Sequence, residues 1–205
     1  MENGKKKTGI MGGTFNPVHI GHLLLAENAR ETFELDEILF VPSGLSYMKK
    51  GMEMADKRMR LEMTRLAITD NPFFALSPVE VEREGNSYTY ETLEALRAAE
   101  PETMFYLIVG ADSLFAMETW KHPEAIFKNC AVLAAVRSGS GCEDLEIQIA
   151  RLEGKYGTEI RRIPMDEIPV SSTDIRNRIH QGKSIRYMVP GNVIAYIEKH
   201  RLYTG

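Results

Sequence analysis

A doubly wound α/β fold is predicted for this chain: a Rossmann-like, mostly parallel sheet with helices on both faces and a short helical C-terminal part. Three observations predict it. Short apolar runs of strand length alternate with amphipathic stretches of helix length, nearly every strand-length run empties into a Gly-, Ser- or Asp-containing loop, and no internal repeat breaks the rhythm. Gly9-Ile10-Met11 suits a short buried strand, and Gly12-Gly13 then reads as a glycine turn. After Pro17, good helix formers with an apolar stripe run from Ile20 to Phe33. Glu37 to Val41 is a strand ending at Pro42-Ser43-Gly44, Asp56 to Thr69 an amphipathic helix, and Ala75 to Val81 an extended segment. Thr89 to Ala99 reads as a helix, Met104 to Val109 and Cys130 to Val136 as strongly apolar strands. A helix near Leu145 to Tyr156, a strand near Glu159 to Ile163, and closing helices at Thr173 to His180 and Asn192 to His200 complete the order. In such folds ligands sit beyond the carboxyl ends of the strands, which here means the loops after Met11, Val41, Val109 and Val136.

Composition narrows the class. With 205 residues, 43% hydrophobic and 26% charged, the chain can bury one sizeable core, so a single domain over 1–205 is expected, with the helical part from about 171 to 205. A formal net charge of −4 gives no global basic field for nucleic acid. Cys130 and Cys142 lack CxxC spacing, and neither a leader nor an apolar run of membrane-crossing length is visible. Both cysteines read as structural thiols in a cytoplasmic protein that does not engage membranes. Nothing in the composition decides whether it forms a homo-oligomer.

The segment Gly12-Gly13-Thr14-Phe15-Asn16-Pro17-Val18-His19-Ile20-Gly21-His22 carries the chemistry. His19 and His22, three residues apart at a helix start, share one face. That turn offers backbone N–H groups and the positive end of the helix dipole, so two imidazoles beside it suit phosphate oxygens. A lone helical histidine is more often a surface or capping residue, and an i, i+3 pair without a Cys, Asp or Glu set is poor evidence for zinc; no protein metal site is expected. A second segment, Val170-Ser171-Ser172-Thr173-Asp174-Ile175-Arg176, reads either as a plainly capped helix start or as hydroxyls and an inward arginine suited to two-oxygen phosphate contact. Between them, Gly110-Ala111-Asp112-Ser113 follows the central strand. Trp120, the one tryptophan, fills a core gap or stacks on a flat heteroaromatic ring. Thr89, in Ser87-Tyr88-Thr89, reads as an N-cap of the helix that follows.

The first segment resembles the signature of the HxGH nucleotidyltransferases and, within them, of the nicotinate mononucleotide adenylyltransferases. SSTDIR resembles that family's second signature, usually ISSTxIR, with Val170 in place of Ile, and the two signatures stand in the right order. The resemblance implies ATP contact by Gly12, Gly13, Thr14, Phe15, His19, His22, Gly110, Asp112, Ser171, Ser172, Thr173 and Arg176. It also implies acceptor contact by Tyr88, Thr89, Asp112 and Trp120, the last covering the pyridine ring. His19, His22, Lys49 and Arg176 would neutralise charge during adenylyl transfer. No protein nucleophile is needed, because the acceptor phosphate is itself ionised near neutral pH and attacks the α-phosphorus in line. Mg²⁺ would arrive on ATP. The product would be deamido-NAD, with loss of pyrophosphate, in NAD biosynthesis.

Two departures from the pattern stand out. Asn16 replaces the usual Asp, and Ser46-Tyr47-Met48-Lys49 replaces PPHK, leaving only the lysine. Lys49, helped by Lys50, can swing onto the triphosphate or belong to a solvated basic loop. Arg60 resembles a family position able to reach toward that loop. The His-Ile-Gly-His string is also similar to class I aminoacyl-tRNA synthetases, but 205 residues leave no room for tRNA-reading domains and no KMSKS-like string is present. Nicotinamide mononucleotide or phosphopantetheine as acceptor, and a catalytically silent nucleotide sensor, are the alternatives.

Overall fold

The computed structural model describes residues 4–44, 54–136, 142–165 and 168–204. Six strands form one sheet: β1 (Lys7–Gly13), β2 (Glu37–Pro42), β3 (Phe74–Leu76), β4 (Met104–Gly110), β5 (Ala131–Val136) and β6 (Ile160–Pro164), in the order β3-β2-β1-β4-β5-β6. The pairings of β1 with β4, β4 with β5 and β5 with β6 are parallel. This is the doubly wound order whose direction reverses beside β1, where ligands bind in such sheets. Among the described residues the helices are α1 (Ile20–Phe33), α2 (Lys57–Ile68), α3 (Val79–Glu82), α4 (Thr89–Ala99), α5 (Ala111–Ala116), α6 (Pro123–Asn129), α7 (Cys142–Tyr156), α8 (Ser172–His180) and α9 (Gly191–Lys199).

The chain packs as two compact units interleaved in sequence. The first comprises Met1–Gly12, Leu25–Leu39 and Tyr88–Glu167. Its centre is β4, where Phe105 to Val109 are all buried because parallel strands covered on both faces read as continuous apolar runs. In register, Met11 lies beside Ile108 and Gly110 beside Ala135, so the ends of β1, β4 and β5 emerge along one edge. Cys130 is buried and free, and burial pushes its thiol up to about 12, which makes it an inert packing residue.

The second unit comprises Gly13–Leu24, Phe40–Ser87 and Ile168–Gly205. Asp56 caps α2 by accepting the Arg58 N–H at 2.8 Å, and Ser171 caps α8 by accepting the Asp174 N–H at 3.0 Å. The buried faces of α2 (Met63, Ala67, Ile68) and α9 (Val193, Ile197) supply apolar core to this unit.

Two expectations change. Val79 to Val81 is not extended but the start of α3, because Pro78 enters in a near-helical conformation (φ −84°, ψ 4°) and Ser77 Oγ accepts the Val79 N–H at 3.4 Å. The Gly12-Gly13 pair is not a turn either. Both residues belong to β1 and neither has a positive φ; the chain departs from strand geometry at Phe15, at φ 48°. No described helix is long and apolar enough to cross a membrane.

Candidate active site

The two histidines stand where the sequence places them, at the start of α1 in the second unit. Their rings stack with centroids 3.7 Å apart and planes at 28°. Gly21 lies between them because a Cβ there would come within 3.1 Å of the His19 ring. Beneath them Phe15 is 1% exposed and meets the His22 ring edge-on at 5.0 Å. Its side chain is therefore spent on supporting the histidine pair.

The His19 N–H donates to His22 Nδ1 at 3.2 Å. An amide N–H can only donate, so His22 Nδ1 is the acceptor and Nε2 carries the ring proton. The first-turn amides are less available than the sequence suggests: Ile20 N–H donates to the Met188 carbonyl at 2.9 Å and His22 N–H to the His19 carbonyl at 2.9 Å. His19 is 7% exposed, and its Nδ1 is buried without a hydrogen-bond partner.

That burial lowers the His19 pKa from 6.5 to about 4. The unfolded chain then binds a proton between these values that the native protein does not. Stability therefore rises with pH across this window, is fully present above about 6.5, and is lost as pH falls toward 4; the full shift corresponds to about 3 kcal/mol. Urea unfolding of the protein and of His19→Gln from pH 4 to 7 isolates the effect. The variant is expected to lose that component of the pH slope, and equal slopes would reject the assignment.

The second signature packs against the loop that carries the histidines. Arg176, 9% exposed, donates from Nη1 to the Asn16 carbonyl at 2.9 Å and from Nη2 to Thr173 Oγ1 at 3.4 Å. Ser172 Oγ donates to the Pro17 carbonyl at 2.8 Å, while Ser171 and Thr173 are exposed at the helix start. Arg176 thus shapes the loop through the Asn16 carbonyl.

Sequence reasoning missed the full role of Arg60. It is 1% exposed and donates to three carbonyls: Thr14 at 2.6 Å, Gly44 at 3.0 Å and Ala55 at 3.1 Å. Gly44 itself packs against the end of α3, where a Cβ would clash with the Glu80 carbonyl oxygen. A charged residue inside an apolar-looking helix face was the available signal, but its acceptors are backbone atoms that no side-chain pattern records. Lys49, with the Ser46 to Lys50 departure, lies outside the described residues.

In the first unit, Gly12 and Gly110 are exposed at neighbouring strand ends, and a Cβ at either would meet nothing within 4 Å. Asp112 is exposed in the first turn of α5. Tyr88 rather than Thr89 is the N-cap of α4, without a side-chain cap bond, and Thr89 is the first helical residue. The segment after half-buried Trp120 docks on this helix start: Lys121 Nζ sits 4.2 Å from the Tyr88 ring centroid, and His122 meets Tyr90 edge-on at 4.8 Å. The residues just after Trp120 thus contact the start of α4 at Tyr88 and Tyr90.

The sheet order defines a Rossmann-like α/β protein, with a stacked histidine pair after its first strand. The family model that matches the chain, over residues 10–178, is described as cytidylyltransferase-like. A protein of Lachnoclostridium phytofermentans named "Probable nicotinate-nucleotide adenylyltransferase" is 45% identical over 200 residues, covering 97% of this chain and 99% of that one. A Thermoanaerobacter protein of the same name is 39% identical, covering 96% and 94%. Among solved structures, Plasmodium falciparum nicotinic acid mononucleotide adenylyltransferase complexed with NaAD superposes with a TM-score of 0.78 at 19% identity, covering 97% of each chain, which shows the shared fold. The chain belongs to the cytidylyltransferase-like family and, within it, to the nicotinate-nucleotide adenylyltransferases.

Proposed function

We propose that the protein transfers the adenylyl group of ATP to nicotinate mononucleotide, forming nicotinate adenine dinucleotide and releasing pyrophosphate. The stacked His19–His22 pair, with Nε2 of His22 protonated by the hydrogen-bond pattern, carries this reading, in a chain whose relatives of that name match it end to end. The acceptor phosphate attacks the α-phosphorus in line and the bond to the leaving pyrophosphate breaks, so the protein needs to orient both nucleotides and stabilise charge. In this reading His19, His22, Lys49 and Arg176 serve the triphosphate, with Gly12, Gly13, Thr14, the Phe15 backbone, Gly110, Asp112 and Ser171 to Thr173 around the rest of ATP. The side-chain-uncapped start of α4 at Tyr88 and Thr89 suits the acceptor's carboxylate, and Trp120 its pyridine ring.

Mg²⁺ is carried on ATP in this proposal, bound by phosphate oxygens and water. Among the described residues no group of three or more His, Cys, Asp or Glu converges on a metal position, and the donors of the cradle suit phosphate oxygens. A cytoplasmic setting belongs to the same reading.

The test is a coupled pyrophosphate assay with ATP and, side by side, nicotinate mononucleotide, nicotinamide mononucleotide and phosphopantetheine. Pyrophosphate release is expected to be fastest with nicotinate mononucleotide. Preference for another acceptor would reassign the substrate, and ATP binding without release from any acceptor would identify a sensor.

A further inference from the structure

We propose that Tyr203, in the turn following α9, is a positioning residue for the nucleotide loop and acts through Asn16. Its hydroxyl donates to Asn16 Oδ1 at 2.7 Å across 187 residues of sequence, and Asn16 Oδ1 also accepts the Ala55 N–H at 3.0 Å. The amide N–H cannot accept, so it fixes which end of the Asn16 side chain is the oxygen; the Tyr203 hydroxyl is then the donor.

Asn16 is consequently held at both ends, its side chain by Tyr203 and Ala55 and its carbonyl by Arg176 at 2.9 Å. Three residues later comes His19. The turn that delivers Tyr203 is itself strained: Arg201 and Tyr203 have φ of 51° and 62°, a region that bulky residues seldom occupy unless their surroundings over-determine it. Tyr203 is 5% exposed, and a phenylalanine would fill the same space. What the hydroxyl adds is orientation of Asn16, and with it the path from Phe15 to His19.

The inference rests on the reading that this loop holds ATP, so the experiment separates the two. ATP dissociation constants, measured by calorimetry without any acceptor, and KM values for both substrates are compared between the protein and Tyr203→Phe. ATP binding is expected to weaken roughly five- to tenfold, the scale of one buried hydrogen bond, with the acceptor KM unchanged. In an Asn16→Ala background the same Tyr203→Phe change is expected to add nothing. Unchanged ATP binding, equal losses for both substrates, or full additivity with Asn16→Ala would each overturn the proposal. If the protein bound ATP but formed no dinucleotide with nicotinate mononucleotide, the acceptor reading would fail while the ATP measurement still decided the role of Tyr203.

Discussion

Replacing His22 with alanine is expected to lower kcat and kcat/KM together by about a hundredfold or more, with the KM values for ATP and acceptor little changed. The magnitude is that of removing one fixed donor aimed at charge that develops in the transition state. Geometry supports this assignment for His22 more strongly than for His19. His22 is half-buried, its Nδ1 accepts the His19 N–H, and its Nε2 therefore carries the ring proton. His19 is more deeply buried, and its pKa, lowered by that burial, keeps the ring neutral near pH 7. Because the two rings stack, alanine at 22 also removes a wall of His19, and a second variant is needed. His22→Asn keeps a donor of shorter reach and is expected to recover part of the loss. Steady-state kinetics of both variants, with thermal unfolding to confirm folding, make the check. A fully active His22→Ala protein would remove His22 from the reaction.

Much of this site was legible because its signals are local. The helix expected from Ile20 to Phe33 is α1 to the residue, with Pro17 ahead of its start and Glu34 leaving the helix in the left-handed region at φ 51°. The start of α8 was legible for the same reason, its capping serine lying within the motif. Alternation misled at Val79-Glu80-Val81-Glu82, where apolar and polar residues follow a strand's period of two but Pro78 sets up a single helical turn. Glycine misled at Gly12-Gly13, where its value is space rather than conformational freedom: Gly12 leaves an open strand end and Gly13 admits the Phe15 ring, 2.9 Å from where a Cβ would lie. Least legible were the supports of the loop. Tyr203 meets Asn16 from the far end of the chain, and Arg60 reaches carbonyls 46, 16 and 5 residues away, partners that carry no residue identity.

Arg60 is accordingly the position where substitution is expected to cost most stability. Arg60→Met keeps length and apolar stem but removes every donor. Two effects oppose one another. Burial lowers the pKa of this guanidinium, with Asp56 and Glu80 only partly offsetting the loss of water, so deleting the charge recovers some desolvation. Against that, the carbonyls of Thr14, Gly44 and Ala55 lose the donors they have, and unlike the carboxylate of an ion pair they cannot be exchanged for apolar groups. Each buried acceptor left unpaired costs about 1–3 kcal/mol, so the second effect wins and a net loss of about 4 kcal/mol is expected. In a chain of this size that lowers Tm by roughly 10 °C. Arg60→Lys keeps the charge but not the planar fork, which spans three acceptors at once, and is expected to fall between. Differential scanning calorimetry of both variants reads the result. A methionine variant melting within about 2 °C of the parent would mean that the three carbonyls find other donors, and that Arg60 is not what holds the Thr14 end of the nucleotide loop.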